Sequence, residues 1–296
     1  MFAVVVLAVF FFSCEHMGTV AKIGATVGQA TGHIDAKTAD AIIRSGEAIG
    51  KAFEDITPEQ EYYIGRAVGA NILATYKLQA NRPDLVAYAN RICNALIINS
   101  PRPEIFNGYR LNVLDSDEIN AFATPGGHIF ITRGLIASTS SEDTLAAVIA
   151  HEIAHIQLQH GLKAIKNSRV TQAILVTGTS AASVAAGSYN LSEMVDVFND
   201  SINEIITTMV TNGYSRTQEF EADTMAMELM ALAGYEPSSL IEMLRVLERN
   251  QPGRPGGFNK THPAPGQRIT NAQKTAGNFK VTDTRSYRQE RFKGVS

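Results

Sequence analysis

Tryptophan is absent from this chain, and cysteine occurs only twice, at Cys14 and Cys93. Two cysteines cannot build a disulfide framework. Cys93 falls on a helical apolar stripe with Leu85, Tyr88, Ala89, Ile92 and Leu96, so packing is its expected role. Neither sign of charge is in excess. The formal net charge is −3 and the pI about 6.2, which excludes the basic footprint of a nucleic-acid binder. Long hydrophobic runs are also lacking. The apolar run from Phe2 to Phe12 falls short of the roughly 20 residues a spanning helix needs. The uncharged stretch 170–192 is rich in Ser, Thr and Gly, so a close-packed helix, hairpin or oligomer contact is expected there. A membrane-associated hairpin is the alternative.

What is present is an ordinary globular allotment, with 45% apolar residues over a length of 296. That length suits one large or two ordinary domains. One stretch stands apart: Ala150-His151-Glu152-Ile153-Ala154-His155-Ile156. Two histidines four residues apart share a helix face, so both imidazoles can reach one tetrahedral zinc ion. Glu152 projects beside that ion and is placed to take a proton from an attacking water. The surrounding Leu145, Ala146, Ala147, Val148, Ile149, Ala150, Ile153, Ala154 and Ile156 predict a helix apolar on nearly all sides, hence buried. A carboxylate and two imidazoles buried there need a partner, and a metal supplies one. Ser140-x-x-Asp143 predicts the cap of this helix, and Gly161 its end.

A catalytic zinc site needs a third protein donor and an open position. The stretch Tyr214-Ser215-Arg216-Thr217-Gln218-Glu219-Phe220-Glu221-Ala222-Asp223 opens a second helix, expected to run to Ala233 and stop at Gly234. Glu219 and Glu221 compete for the role. Glu219 shares a face with Ala222, Asp223, Ala226, Met230 and Ala233, a small and apolar face that turns inward. Glu221 lies about 200° away around the helix. Glu219 is therefore the expected ligand. Asp223, one turn on, is placed to accept the free N–H of His151. His160 is out of phase with His151 and His155 on a continuous helix, so a surface or helix-end place is expected for it. Leu158 and Gly161 stand where a Met-turn zinc protease carries Gly and His, which excludes that class.

These motifs, followed by Thr261-His262-Pro263 and Arg268, resemble those of the HtpX/BepA/LoiP-like zinc metallopeptidases, relatives of the CAAX prenyl proteases. Asn120-Ala121-Phe122-Ala123-Thr124-Pro125-Gly126-Gly127 also resembles the segment these enzymes place before the zinc helix. The resemblance covers about residues 57–275, and the lipoprotein-like start resembles the LoiP branch. It implies a mostly helical α+β zincin with a small β-sheet beside the zinc helix, and one Zn²⁺ per chain. It further implies an endopeptidase whose polypeptide substrate lies extended along an edge strand. The strand 127–132 is the candidate edge, with Asn120, Gly127, His128 and Ile129 as substrate-binding residues. Glu152 would be the general base, and His262 either an oxyanion stabiliser or a latch on the open zinc position. Arg268, grouped with the substrate-binding residues, would anchor the loop carrying His262 through carboxylate or carbonyl contacts. The chain ends at Ser296 with no repeat, so the tetratricopeptide array of BepA-type members is not expected.

The remaining boundaries follow local signals. Ser13-Cys14 after the apolar run resembles a bacterial lipoprotein cleavage site, so residues 1–14 are read as a signal with a lipid on Cys14. An ordinary signal or short anchor is the alternative. Residues 15–56, rich in Gly, Ala and Thr, predict a tether or loose helices, with His16 and His33 solvated. Thr57-Pro58-Glu59-Gln60 predicts a helix start and opens the 57–276 metallopeptidase domain. Helices to about Leu78 and over Leu85–Ile98 follow. Strands are predicted at 109–114, 119–123 and 128–132, with Pro125-Gly126-Gly127 as a turn. Another helix is expected over 200–213. The tail 277–296, with Lys280, Arg285, Arg288, Arg291 and Lys293, is expected to be solvated, with anionic lipid as a candidate contact.

The expectation is thus a zinc endopeptidase of the bacterial cell envelope, on the periplasmic side and attached to the outer membrane. Damaged or unfolded envelope proteins are its expected substrates, and a second copy of the chain is a candidate partner. The alternative is a chaperone or assembly factor that uses the same groove with little cleavage.

Overall fold

The computed structural model describes residues 17–32, 35–37, 39–40, 43, 56–163, 203, 205–207, 213–250, 257–262, 265–279, 281 and 284–294. The expectations for Cys14, His16, His33, residues 170–192 and most of 200–213 lie outside these residues. Two compact units are present. One comprises 1–56 with 163–204 and contains helix α1 (Met17–Ala30), in which Ala25 is buried. The other comprises 57–162 with 205–296 and holds every motif residue. Among the described residues, no helix is long and apolar enough to cross a membrane.

The larger unit starts as its cap residues dictate. Thr57 Oγ1 accepts the backbone N–H of Gln60, and Gln60 Oε1 accepts that of Thr57, so α2 (Pro58–Thr75) opens on a capping box. It ends before Leu78, which leaves helical geometry to bridge Leu114. Helix α3 (Pro83–Ile97) buries the expected stripe, Cys93 included. Burial pushes the Cys93 thiol up to about 12, so thiolate is scarce at neutral pH. Iodoacetamide should therefore leave Cys93 unmodified in the native protein and modify it in denaturant, as read by mass spectrometry. Rapid native labelling would contradict this packing.

Three strands follow: β1 (Arg110–Leu114), β2 (Ala121–Thr124) and β3 (His128–Thr132). Their order is β1-β3-β2, with β1 parallel and β2 antiparallel to β3. This corrects one expectation. The strand 128–132 is central, its two edges paired in register with Arg110–Leu114 and Ala121–Thr124, so it is not an edge for substrate. The turn between β2 and β3 is a single 3₁₀ turn at Pro125–Gly127. Gly126 sits at φ +70, and a Cβ there would meet Tyr62 Cα at 2.5 Å. Only glycine lets α2 close on this turn. Glu61 Oε1 accepts the Gly126 N–H there.

After the short α4 (Arg133–Ser138) comes α5 (Glu142–Gln157), buried along its whole length as its all-round apolar sequence requires. Helices α6 (Arg216–Leu232), α7 (Ser239–Asn250) and α3 pack on it, together with β2. Burying Leu145, Ile149 and Ile153 completely contributes about 1.5–3 kcal/mol each. The cap of α5 is Ser141 with Thr144, one residue later than the expected Ser140-x-x-Asp143 pair. Asp143 is used elsewhere. It accepts both Arg288 Nε–H and Nη2–H, and the Glu236 backbone N–H. Glu142 likewise pairs with Arg291, Tyr88 and Tyr235. Arg288 and Arg291 belong to α10 (Arg285–Lys293), so this part of the expected solvated tail is instead docked on the first turn of α5. Two buried carboxylates at that N-terminus needed cations, and α10 supplies them.

The remaining elements are α8 (Phe258–Thr261), directly before His262, and α9 (Pro265–Ala276), which carries Arg268 and packs on α6 and α7. The fold is thus mostly helical with one small sheet, as the resemblance implied.

Candidate metal centre

Helix α5 presents His151 and His155 one turn apart, their ring centroids 4.7 Å from each other. Helix α6 opens on a capping box between Ser215 and Gln218, which fixes its phase. That phase turns Glu219 and Asp223 fully inward and leaves the Glu221 side chain about half exposed. Glu219, the residue chosen on helical geometry, thus faces the histidine pair, and Glu221 does not. Helix α6 ends at Leu232, with Gly234 at φ +78 just beyond.

Four donor atoms converge, from His151, His155, Glu219 and His262, all within 4.8 Å of one another. His155 Nε2 lies 3.1 Å from His151 Nε2, and His262 Nδ1 lies 3.3 Å from His151 Nε2. Glu219 Oε1 lies 3.0 Å from His262 Nδ1 and 3.7 Å from His155 Nε2. The edge of a tetrahedron around zinc, with bonds of about 2.0–2.1 Å, is about 3.3 Å. The donor spacing brackets that value. Imidazole and carboxylate are also the donor types zinc takes. The residues present therefore fit a zinc ion.

The groups behind the donors are equally ordered. His151 Nδ1 lies 3.1 Å from Asp223 Oδ1, the expected orienting contact. Arg268, 2% exposed, donates from Nε and Nη2 to both Asp223 oxygens and reaches Glu219 Oε2 with Nη1 at 2.9 Å. Its expected place in substrate binding is corrected: it is locked between two carboxylates beneath the site. Glu152 is buried, its Oε1 has no hydrogen-bond partner among the described residues, and His262 Nε2 stands 3.6 Å away. The carboxylate next to the donor cluster is thus free to bond a ligand.

Burial and neighbouring charge set the protonation of this cluster. Burial raises the Glu152 carboxyl above its ordinary range. Burial acts the same way on Glu219 and Asp223, but positive neighbours overcome it. His262 and Arg268 hold Glu219 well below the carboxylate range, and Arg268 holds Asp223 below it. For His151, burial and Arg268 push down, while Asp223 and Glu219 outweigh them and lift it to about 9. Burial and the His151 charge press His155 well below the ordinary imidazole value.

The other expected substrate contacts are used structurally. Asn120 Oδ1 accepts the Ala121 N–H, and the Asn120 backbone pairs with Thr132. Gly127, at φ +98, lets the 105–109 segment approach; a Cβ would meet Ile105 Cδ1 at 2.5 Å and Gly108 O at 2.8 Å. His128 packs on the Tyr62 ring, and Ile129 is wholly in the core.

Three site residues escaped the sequence reading. Tyr214 stacks on His155, with centroids 4.0 Å apart and planes 20° apart. Phe258 stacks on His262 in the same way, at 4.2 Å. His160 is fully buried, with its Nδ1 2.9 Å from His155 Nδ1, which corrects the surface place expected for it. The phase expected of a continuous helix does not hold at this residue. In fact α5 stops at Gln157, a turn at 158–159 with Gln159 at φ +55 follows, and a new helical turn begins at His160. Gly161 does not end the helix; it allows close contact with Pro125. Position of Tyr214 directly before a Ser-x-x-Gln capping box was the available signal for that residue.

Known proteins match this arrangement. Residues 83–276 match the family model described as Peptidase family M48. The chain is similar to the mitochondrial metalloendopeptidase OMA1 of Schizosaccharomyces pombe, 27% identical over 74% of this chain and 62% of that protein. It is similar to the beta-barrel assembly-enhancing protease of Yersinia pestis, 25% identical over 69% of this chain and 41% of that protein. To the metalloprotease LoiP of Escherichia coli (strain K12) it is 30% identical, over 61% of this chain and 68% of that protein. The match spans less than two thirds of the first two of these relatives.

Proposed function

The chain belongs to peptidase family M48, and on that footing we propose that it is a zinc-dependent endopeptidase of the bacterial cell envelope. The observation that carries this reading is the convergence of His151, His155 and Glu219 beside the unpartnered carboxylate oxygen of Glu152. Zinc, when bound, supplies Lewis-acid polarisation of the scissile carbonyl and acidification of water.

The rest falls to the chain's own residues. Glu152 takes the proton of the attacking water and returns it to the departing amine, a role suited to a carboxyl raised by burial. Asp223 holds the Nδ1 proton of His151, leaving Nε2 free to face the cluster. Arg268 keeps Glu219 and Asp223 ionised. Since β3 is central, the strand offered to an extended substrate is β2, Ala121–Thr124, which packs directly on α5. A small cavity of about 10 Å³, room for one water molecule, lies beside His155 between Thr124, Gln159 and Tyr214.

Of the two roles considered for His262, the latch is favoured. Its Nδ1 stands among the metal donors, where a substrate carbonyl or water would have to be. Substrate entry then requires His262 to withdraw. His262→Ala is expected to raise kcat/KM on casein roughly tenfold or more, the gain from removing a closed state favoured by about 1.4 kcal/mol. A fall in activity instead would assign His262 to transition-state stabilisation.

Envelope placement is supported by the apolar run before Ser13-Cys14 and by the beta-barrel assembly named in the Yersinia pestis relative. Damaged or unfolded envelope proteins are the proposed substrates, and a lipid on Cys14 the proposed anchor. Casein cleavage that stops on chelation tests the enzyme reading. Polypeptide binding with no cleavage, before or after zinc addition, would support the chaperone reading instead, which the closed donor set also suits.

A further inference from the structure

His155 has an unusual partner. Behind His151 stands a carboxylate, Asp223, but behind His155 stands another imidazole. His155 Nδ1 lies 2.9 Å from His160 Nδ1, and His160 Nε2 lies 3.1 Å from Glu221 Oε2. His155 and His160 are both buried. We propose that His160 and Glu221 form a positioning relay that fixes the tautomer of His155 and so presents its Nε2 lone pair to the metal.

The proton count leaves one consistent arrangement for neutral rings. An ionised carboxylate only accepts, so the Glu221 contact places the His160 proton on Nε2. A neutral imidazole carries one N–H, which leaves His160 Nδ1 as an acceptor. The 2.9 Å contact then requires His155 to donate from Nδ1. The Nε2 of His155 is left with its lone pair, and that atom is the one 3.1 Å from His151 Nε2 and 3.7 Å from Glu219 Oε1. With the opposite tautomer, a proton would occupy the position a metal needs.

The fold builds this contact at some cost. Gln159 sits at φ +55, a left-handed conformation rare for a side chain other than Gly or Asn. The turn at 158–159 that holds it breaks the phase of α5 and places the His160 ring against His155. It also explains Glu221: this residue faces away from the cluster on α6, yet its carboxylate meets the far side of His160. The Tyr214 ring, stacked on His155, leaves the imidazole plane set while the relay sets its proton. His160 and Glu221 touch no donor position themselves, so they are positioning residues.

The inference rests on the zinc reading, and its test keeps the two apart. Zinc affinity is measured by competition with a chromophoric chelator for the wild-type chain, His160→Phe and His160→Asn. Phenylalanine keeps the ring and removes the acceptor; asparagine places Oδ1 about where Nδ1 stood. The expected result is about a 10–100-fold loss of zinc affinity in His160→Phe, the usual effect of losing such a partner, and recovery of most of it in His160→Asn. A structural role alone would lower the melting temperature of both metal-free variants and give no such recovery. Equal zinc affinity in wild type and His160→Phe overturns the relay and leaves the zinc reading intact. No zinc affinity in the wild type overturns both. Should His160→Phe fail to fold, imidazole ¹⁵N spectra of the wild-type chain decide. Protons on His155 Nδ1 and His160 Nε2 support the relay, and a His160 proton on Nδ1 overturns it.

Discussion

Glu152→Gln is expected to retain one zinc ion per chain while cutting casein about 10²–10⁴-fold more slowly. Glutamine keeps the size and one acceptor oxygen of the side chain but cannot take a proton. The donor atoms belong to His151, His155, Glu219 and His262, so the metal should stay. Nothing in the packing penalises the change: burial already disfavours the charged carboxylate, and its Oε1 has no hydrogen-bond donor to lose among the described residues. The melting temperature should therefore hold or rise slightly. Paired measurements of zinc content and casein turnover check this. Loss of zinc together with activity would mean that Glu152 is a ligand, and unaltered turnover would mean that another group moves the proton.

Arg268→Met should destabilise the metal-free protein by about 3–5 kcal/mol, the range found when one partner of a buried ion pair is removed. At roughly 2–4 °C per kcal/mol for a unit of this size, that is a fall of roughly 6–20 °C in the thermal midpoint. Arg268 is 2% exposed and touches both Asp223 and Glu219, so its loss leaves two buried carboxylates with only His151 and His262 as partners. The deficit should depend on pH in a defined direction. In the wild type both carboxyls are held below their ordinary values, so their contribution is present at neutral pH and fades as pH falls through and below the unfolded value near 4. Without Arg268, burial is opposed by the histidines alone and both carboxyls rise relative to the wild type, so protonation in acid relieves the variant. The gap between the two proteins should be widest near pH 7 and narrow towards pH 4. Zinc should narrow it too, by returning a cation to Glu219. Arg268→Lys should not restore stability, because a single ammonium cannot bridge both carboxylates as the planar fork does. Differential scanning calorimetry across that pH range, with and without zinc, checks each part.

Local patterns were legible where one element sufficed. The His151-x-x-x-His155 spacing, the inward face of α6 and the Asp223 contact all follow from helix phase and apolar periodicity, and the structure holds them as expected. Local patterns do not reveal a residue's partner where distant segments compete for it. Asp143 was assigned to a cap, but Arg288 draws it away and Thr144 takes its place. His160 was placed on the surface because Gln159 carries no mark, such as glycine, of its left-handed backbone. The central place of β3 could not be read either: strand order is fixed by β1 crossing to the far side of β3, a long-range pairing that alternation does not encode. Arg268 was grouped with the substrate-binding residues because its two carboxylate partners lie on another helix, although carboxylate contacts themselves were expected of it.

The most direct test is anomalous X-ray diffraction at the zinc edge from zinc-loaded crystals. The account predicts one strong peak at bonding distance, about 2.0–2.2 Å, from His151 Nε2, His155 Nε2 and a Glu219 carboxylate oxygen. A peak bound elsewhere on the chain, or one at the imidazole pair with the Glu219 carboxylate out of reach, would contradict it.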